Sequence, residues 1–159
     1  MIRIDIIDDA GAHWLPSEEQ CRAWLHCALS QSGRLPDTKD YELSLRLVDE
    51  HEIARLNREY RHKDGATNVL SFPSEFPEAI VTQMQFSHLG DIAICPAVLE
   101  REAAEQLKEP VAHWAHLLIH GLLHLLGYDH KEESQASDME TLEIETLKML
   151  GFPNPYLVG

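Results

Sequence analysis

The stretch His120-Gly121-Leu122-Leu123-His124-Leu125-Leu126-Gly127-Tyr128-Asp129-His130 sets the architecture around it. Its first two histidines are four positions apart, so on a helix they lie one turn apart on the same face and can share an ion. Gly127 follows the last apolar turn. A glycine there can take the left-handed conformation that reverses the chain, which would return His130 toward the other two imidazoles. His120, His124 and His130 then supply three nitrogens and leave a fourth position open, the ligand count of a catalytic rather than a structural zinc. Such a position holds a water that the ion acidifies toward neutrality.

Outward from this stretch, Pro110 opens the helix that Gly127 ends. The run 111–127 is apolar but is broken by His113, His116, His120 and His124, an expensive set to place in lipid. It reads as a buried helix, not a membrane span. Upstream, 1–7 alternates Ile2, Ile4 and Ile6 with charged residues as a strand does. Ser17, followed by Glu18, Glu19 and Gln20, caps a helix whose apolar positions are Cys21, Trp24, Leu25, Ala28 and Leu29, with Gly33 at its end. Residues 41–48 alternate as a half-buried strand, and Asp49 caps a helix over 50–60. A loop over 61–68, containing Lys63-Asp64-Gly65, feeds an apolar strand at 69–72.

Pro73, Pro77 and the polar residues from Ser74 to Ser87 predict a long loop, a common form for lids and binding elements. A strand over 89–94 follows, then a helix from Pro96 to about Lys108. The last helix is acidic: Ser134 caps it, Met139, Leu142, Ile144 and Leu147 line one face, and Gly151 with Pro153 terminates it. The acidic side chains of 132–145 read as a solvated face or a contact for a basic protein. The sum is one α+β domain over 1–159, a small sheet of about four strands packed with about five helices.

At 159 residues the chain can bury a core without disulfides. Cys21, Cys27 and Cys95 are scattered and lack any Cys-x-x-Cys pairing, so they read as small buried side chains. The N-terminus lacks the order of a signal peptide, which places the protein in the cytoplasm. A net charge of −14 argues against a polyanionic partner. Yet Arg55, Arg58, Arg61 and Lys63 fall within nine residues, with His62 beside them, and form a local phosphate-binding patch.

The histidine spacing matches the long zinc-protease motif except at one position. Those proteases carry Glu after the first histidine as general base, whereas Gly121 stands here. A glycine inside a helix costs about 1 kcal/mol against alanine, so Gly121 reads as room for another backbone or a bulky substrate.

Three segments together resemble the YbeY family of bacterial endoribonucleases and rRNA maturation factors. They are Leu56-Asn57-Arg58-Glu59-Tyr60-Arg61 leading to Thr67-Asn68-Val69-Leu70-Ser71-Phe72, then Leu89-Gly90-Asp91-Ile92, then the histidine run. The resemblance covers most of the chain. It implies one zinc ion held by the three histidines, hydrolysis of single-stranded RNA, and a role in small-subunit (16S) rRNA 3′-end maturation and ribosome quality control. The small ribosomal subunit or its proteins would be partners. It also singles out Arg61. The family usually has Asp where this chain has Asn68: if that aspartate acts as a base, this chain does without it, and if it caps a turn, the favoured reading, asparagine does the same job.

On this reading the ion activates water and polarises a phosphoryl oxygen, while Arg61 clamps the phosphate. Gly121 cannot take the proton, so another group must. His113 and His116 share the face of His120 and His124 and either support the metal ligands by hydrogen bonds or, the favoured reading, are simply packed. Asp129 either orients His130 or caps a turn. Arg55 and Arg58 belong to a solvated face, and Ser71 and Asp91 to strand ends. Two other classes fit the triad: a metalloprotease-like hydrolase, and a non-catalytic ribosome-assembly factor with a structural zinc.

Overall fold

The computed structural model describes residues 1–36, 39–74, 86–129 and 132–157. Among them lie four strands, β1 (Ile2–Asp8), β2 (Asp40–Leu47), β3 (Val69–Pro73) and β4 (Phe86–Ile94). Five helices accompany them: α1 (Glu18–Ser32), α2 (Glu50–Arg61), α3 (Pro96–Glu105), α4 (Pro110–Leu125) and α5 (Glu133–Met149). The single α+β domain read from the sequence is the one observed.

The strands form one sheet in the order β1-β2-β4-β3. β1 and β4 run parallel to β2, and β3 pairs antiparallel to β4 at the edge. Parallel neighbours need a crossover, which α1 provides between β1 and β2. Alternation sorts the two faces. Ile2, Ile4, Tyr41, Leu43, Leu45, Leu47, Ile92 and Ile94 point to one side and pack with Trp24, Leu25, Trp114, Leu118, Leu122, Met139 and Leu147 of α1, α4 and α5. On the other side α2 covers a smaller cluster of Val48, Ile53, Leu56, Leu70, Ala93 and Cys95. Histidine helix α4 is thus held in the main core, while α2 brings its basic end to the same edge of the sheet from the opposite face.

Local signals explain most boundaries. Ser17 and Gln20 form a reciprocal capping box, and Gly33 closes α1 in the left-handed conformation. Asp49 caps α2 by accepting from the Glu52 backbone N–H at 2.8 Å. α2 runs one residue further than expected because His62 takes the left-handed turn at φ 56°. β4 starts at Phe86, earlier than its apolar residues suggest, because Ser87 and His88 pair with Tyr41 and Glu42 of β2. α3 stops at Glu105, short of Lys108, where Leu107 adopts φ 55°. α5 is preceded by Glu132 rather than capped by Ser134, its first turn being closed by the Ala136 N–H on the Glu132 carbonyl. Most of the expected loop after Pro73, residues 75–85, lies outside the described residues. Among the described residues no helix is long and apolar enough to cross a membrane.

Candidate metal centre and anion cleft

α4 crosses the sheet at Gly121. A Cβ added there would come within 3.1 and 3.2 Å of Ile92 and 3.3 Å of the Ser71 hydroxyl oxygen, closer than side chains normally pack. Ser71 donates to the Gly121 carbonyl at 2.8 Å. The expected room therefore accommodates Ile92 and Ser71, not another backbone or a substrate. A glutamate at this position would be driven into β3 and β4, which removes the basis for a protease-like general base.

Gly121 sets the height of the two histidines beside it. The His120 and His124 rings stand edge to face with centroids 4.6 Å apart. His124 Nδ1 lies 2.9 Å from the Tyr128 carbonyl, and His120 Nδ1 lies 2.8 Å from a carboxylate oxygen of Glu143. A carbonyl and a carboxylate only accept, so both Nδ1 atoms carry the proton. The Nε2 atoms face each other at 3.1 Å. With Nδ1 protonated, each Nε2 can offer a lone pair to a cation between the rings. Two nitrogens sharing one tetrahedral ion at bonds of about 2.0–2.1 Å sit about 3.3 Å apart, so the separation fits.

The Tyr128 carbonyl reaches His124 because the chain turns back after α4. Gly127 takes φ 97°, the reversal expected from its place in the sequence. Arg34 holds the turn from outside, donating to the Leu126 carbonyl at 2.9 Å and lying 3.5 Å over the Tyr128 ring. His130 itself is outside the described residues, as is its relation to the other two histidines, and Asp129 adjoins it.

Deeper along α4, His116 Nε2 lies 3.0 Å from the same Glu143 oxygen that His120 meets. Ligand atoms of His116, His120 and Glu143 lie within 4.8 Å of one another, a group that can hold a metal ion. The Tyr156 hydroxyl donates to the other Glu143 oxygen at 2.6 Å. At the far end of the row, Glu102 accepts from Asn68 at 3.0 Å and meets His113 Nε2 at 3.1 Å. Burial pushes the His113 pKa down, with Glu102 partly offsetting it.

The paired Nε2 atoms open into a cleft of about 210 Å³ lined by His120, His124, Asn57, Arg61, Lys63, Thr67, Asn68 and Ser71 among others. Arg61 and Ser71 also line a wider groove of about 920 Å³ on the sheet face beside α2. Arg3, Arg22, Arg46, Arg55 and Arg101 are each ion-paired with a nearby carboxylate. Arg61 and Lys63 have no ion-pair partner among the described residues. The cleft thus brings two imidazoles beside Arg61 and Lys63, side chains that could hold a metal and an anion together.

His120, His124 and Arg61 line one cleft; spacing pointed to the two histidines and the resemblance to Arg61. Asn68 lines the cleft but spends its amide on Glu102, a donor role that aspartate could not fill. His116 is not merely packed, since it hydrogen-bonds Glu143. Glu143 overturns the picture of 132–145 as a wholly solvated face: it is 0% exposed. The signal was present, because position 143 lies four residues after Met139 and four before Leu147, on the buried stripe.

A family profile described as Endoribonuclease YbeY matches residues 8–151. A protein named Endoribonuclease YbeY from Pseudomonas fluorescens is 52% identical over 156 residues, 98% of this chain and 97% of its own length. One of the same name from Alcanivorax borkumensis is 50% identical over 154 residues, 96% and 85% of the two chains. The solution structure of TM1509 from Thermotoga maritima superposes with a TM-score of 0.54 at 26% identity, over 95% of this chain and 92% of that one.

Proposed function

The chain belongs to the YbeY endoribonuclease family, and from that premise we propose that it is a zinc-dependent endoribonuclease cutting single-stranded RNA at the cleft between α4 and the end of α2. The observation that carries the proposal is the pair of Nε2 atoms of His120 and His124, 3.1 Å apart, in the same cleft as Arg61 and Lys63, which have no ion-pair partner among the described residues. His130 completes the ligand set. Imidazole nitrogens suit zinc, and the family name supports RNA as substrate. By the same family likeness, the biological target is the 3′ end of small-subunit (16S) rRNA, cut in the cytoplasm as part of ribosome maturation and quality control, with the small subunit or its proteins as partners.

When bound, the ion supplies Lewis acidity to a water and to a phosphoryl oxygen. The remaining work falls to the chain. Arg61 offers a planar fork that matches a phosphate and strengthens as charge grows on its oxygens. Lys63 adds a mobile positive charge at the cleft wall. Ser71 and Gly121 fix the floor through their hydrogen bond, and Asn57 ties the loop that carries Lys63 by donating to the Gly65 carbonyl at 3.0 Å. The wider groove that shares Arg61 gives the rest of an extended strand a path away from the cleft. Gly121 provides no proton acceptor, so the proton of the attacking water leaves through solvent or the substrate.

The test is cleavage of a single-stranded RNA oligonucleotide by the wild type beside His124→Ala and Arg61→Ala proteins from the same preparation. Both substitutions should lower the rate by about 10²–10³-fold, and a chelator should abolish wild-type cleavage. Arg61 is exposed and has no ion-pair partner among the described residues, so its variant should melt with the wild type. Equal cleavage by all three proteins, or chelator-insensitive cleavage, refutes the proposal.

A further inference from the structure

Glu143 occupies the middle of the inner stripe of α5, where an apolar side chain is the ordinary occupant. Burying an ionised carboxylate is costly unless donors converge on it. Three do. His116 Nε2 at 3.0 Å and His120 Nδ1 at 2.8 Å share one oxygen, and the Tyr156 hydroxyl takes the other at 2.6 Å. Burial pushes the Glu143 carboxyl up, but the hydrogen bonds from His116 and His120 outweigh it and hold the pKa down to about 2. Burial and then Glu143 push the Tyr156 phenol up, so it stays protonated as a donor.

The group has two possible uses: it holds a cation itself, or it orders an imidazole whose other nitrogen does so. Separations of 2.8 and 3.0 Å are hydrogen-bond lengths. A cation in their place would hold its ligand atoms about 3.3 Å apart at bonds of about 2.0–2.1 Å, wider than the 2.8 Å between His120 Nδ1 and the Glu143 oxygen. The second use keeps the hydrogen bond from His120 Nδ1 to Glu143 and leaves its Nε2 facing the cleft. We propose that Glu143 is a positioning residue of the metal centre, locking His120 in the tautomer that directs its Nε2 lone pair into the cleft, and that Tyr156 in turn locks Glu143. The proposal rests on the reading of the cleft as a metal centre given above.

Tyr156 is well anchored for this role. The backbone N–H of Phe152 bonds the Leu147 carbonyl at 2.8 Å, and the Phe152 ring meets Trp24 edge on at 6.0 Å. Lys108 donates to the Pro155 carbonyl at 2.6 Å, and the Tyr156 N–H bonds the Asn154 side chain at 2.9 Å. The Tyr156 ring lies edge on to His116 at 5.5 Å. The last turn of the chain is thereby linked to the cleft through one carboxylate, although the two are distant in sequence.

The experiment compares wild type, Glu143→Gln and Tyr156→Phe, each checked for folding by circular dichroism, with two readouts. In metal-free protein, long-range nitrogen–proton correlation spectra of the imidazoles should show His120 as the Nδ1–H tautomer in wild type and a mixture in both variants. His124, which donates to the Tyr128 carbonyl, should not change. In competition with a chromophoric chelator, zinc affinity should fall about 10–100-fold for Glu143→Gln and less for Tyr156→Phe. Tyr156→Phe keeps the ring and serves if Glu143→Gln does not fold. An unchanged His120 tautomer with unchanged affinity overturns the proposal. Complete loss of zinc in Glu143→Gln with retention in His124→Ala also overturns it, by placing the ion on His116, His120 and Glu143. A wild type that binds no zinc refutes the metal centre instead, and the tautomer readout then decides alone whether Glu143 positions His120.

Discussion

Gly121→Ala tests whether α4 is held at its observed distance from the sheet by the absence of a side chain. Two effects oppose each other. Alanine gains about 1 kcal/mol over glycine inside a helix. Against this, the new methyl meets two carbons of Ile92 at 3.1 and 3.2 Å and the Ser71 oxygen at 3.3 Å, and overpacking of this kind costs about 1–3 kcal/mol. If α4 backs away, the hydrogen bond from Ser71 to the Gly121 carbonyl is weakened too, a further loss of about 0.5–1.5 kcal/mol. The balance is a net loss of about 1–2 kcal/mol, or a fall in Tm of about 2–8 °C for a domain of this size. Calorimetry or denaturant unfolding reads the value. Ile92→Val supplies the internal control, because it removes the carbon that the methyl meets at 3.2 Å. Alone it should cost about 0.5–1.5 kcal/mol; in the Gly121→Ala background it should cost clearly less, a favourable coupling in a double-mutant cycle. An unchanged or raised Tm for Gly121→Ala, with no coupling to Ile92→Val, would show that the sheet repacks freely and that close approach at Gly121 is not required.

Zinc at about 100 times its Kd should stabilise the folded protein by about 2.7 kcal/mol, seen as a thermal shift that chelation reverses and that His124→Ala lacks. Asn68→Asp replaces a donor to Glu102 with a second carboxylate at 3.0 Å, so it should cost about 1–3 kcal/mol near neutral pH, with Glu102→Gln restoring the loss in a double variant. The folded pKa of His113 lies below its ordinary 6.5, so the unfolded chain takes up the proton first as pH falls. The contribution of neutral His113 is then complete above the unfolded pKa and is lost below it. Tm measured between about pH 7.5 and 5 should fall less steeply for His113→Gln than for wild type, and equal slopes would count against this assignment.

The parts of the fold that were legible in sequence are those fixed by local periodicity. The alternation of Leu43, Leu45 and Leu47, the Ser17 and Asp49 caps and the apolar run of α4 each state their structure within a dozen residues. His120 and His124 converge for the same reason: helical geometry alone places them. Long-range partners were not legible. Glu143 looked like one of many acids on an acidic helix, and only its phase on the stripe of Met139 and Leu147 distinguished it. Tyr156 carried no local signal, since its function depends on where the chain folds back after Phe152. The start of β4 at Phe86 was hidden for a similar reason, because Ser87 and His88 are held by pairing with β2 rather than by apolar character.

The acidic total of the chain and an anionic substrate are compatible once the pairing of charges is followed residue by residue. Arg3 is matched by Glu42, Arg22 by Glu18, Arg46 by Asp9, Arg55 by Glu52 and Glu59, and Arg101 by Glu50. Their fields are largely cancelled at short range. Arg61 and Lys63 stand beside the paired imidazoles without a carboxylate of their own among the described residues. A phosphate therefore meets a predominantly acidic chain, with Arg61 and Lys63 offering positive charge beside the imidazoles. Such a distribution sacrifices the sequence-independent sliding that a basic surface gives and confines productive contact to a chain slender enough to enter a cleft of about 210 Å³. A single strand can thread it with one phosphate at Arg61 and its flanks in the adjoining groove. On the proposed reading, preference for a single strand would follow from where the positive charge lies, not from how much of it the chain contains.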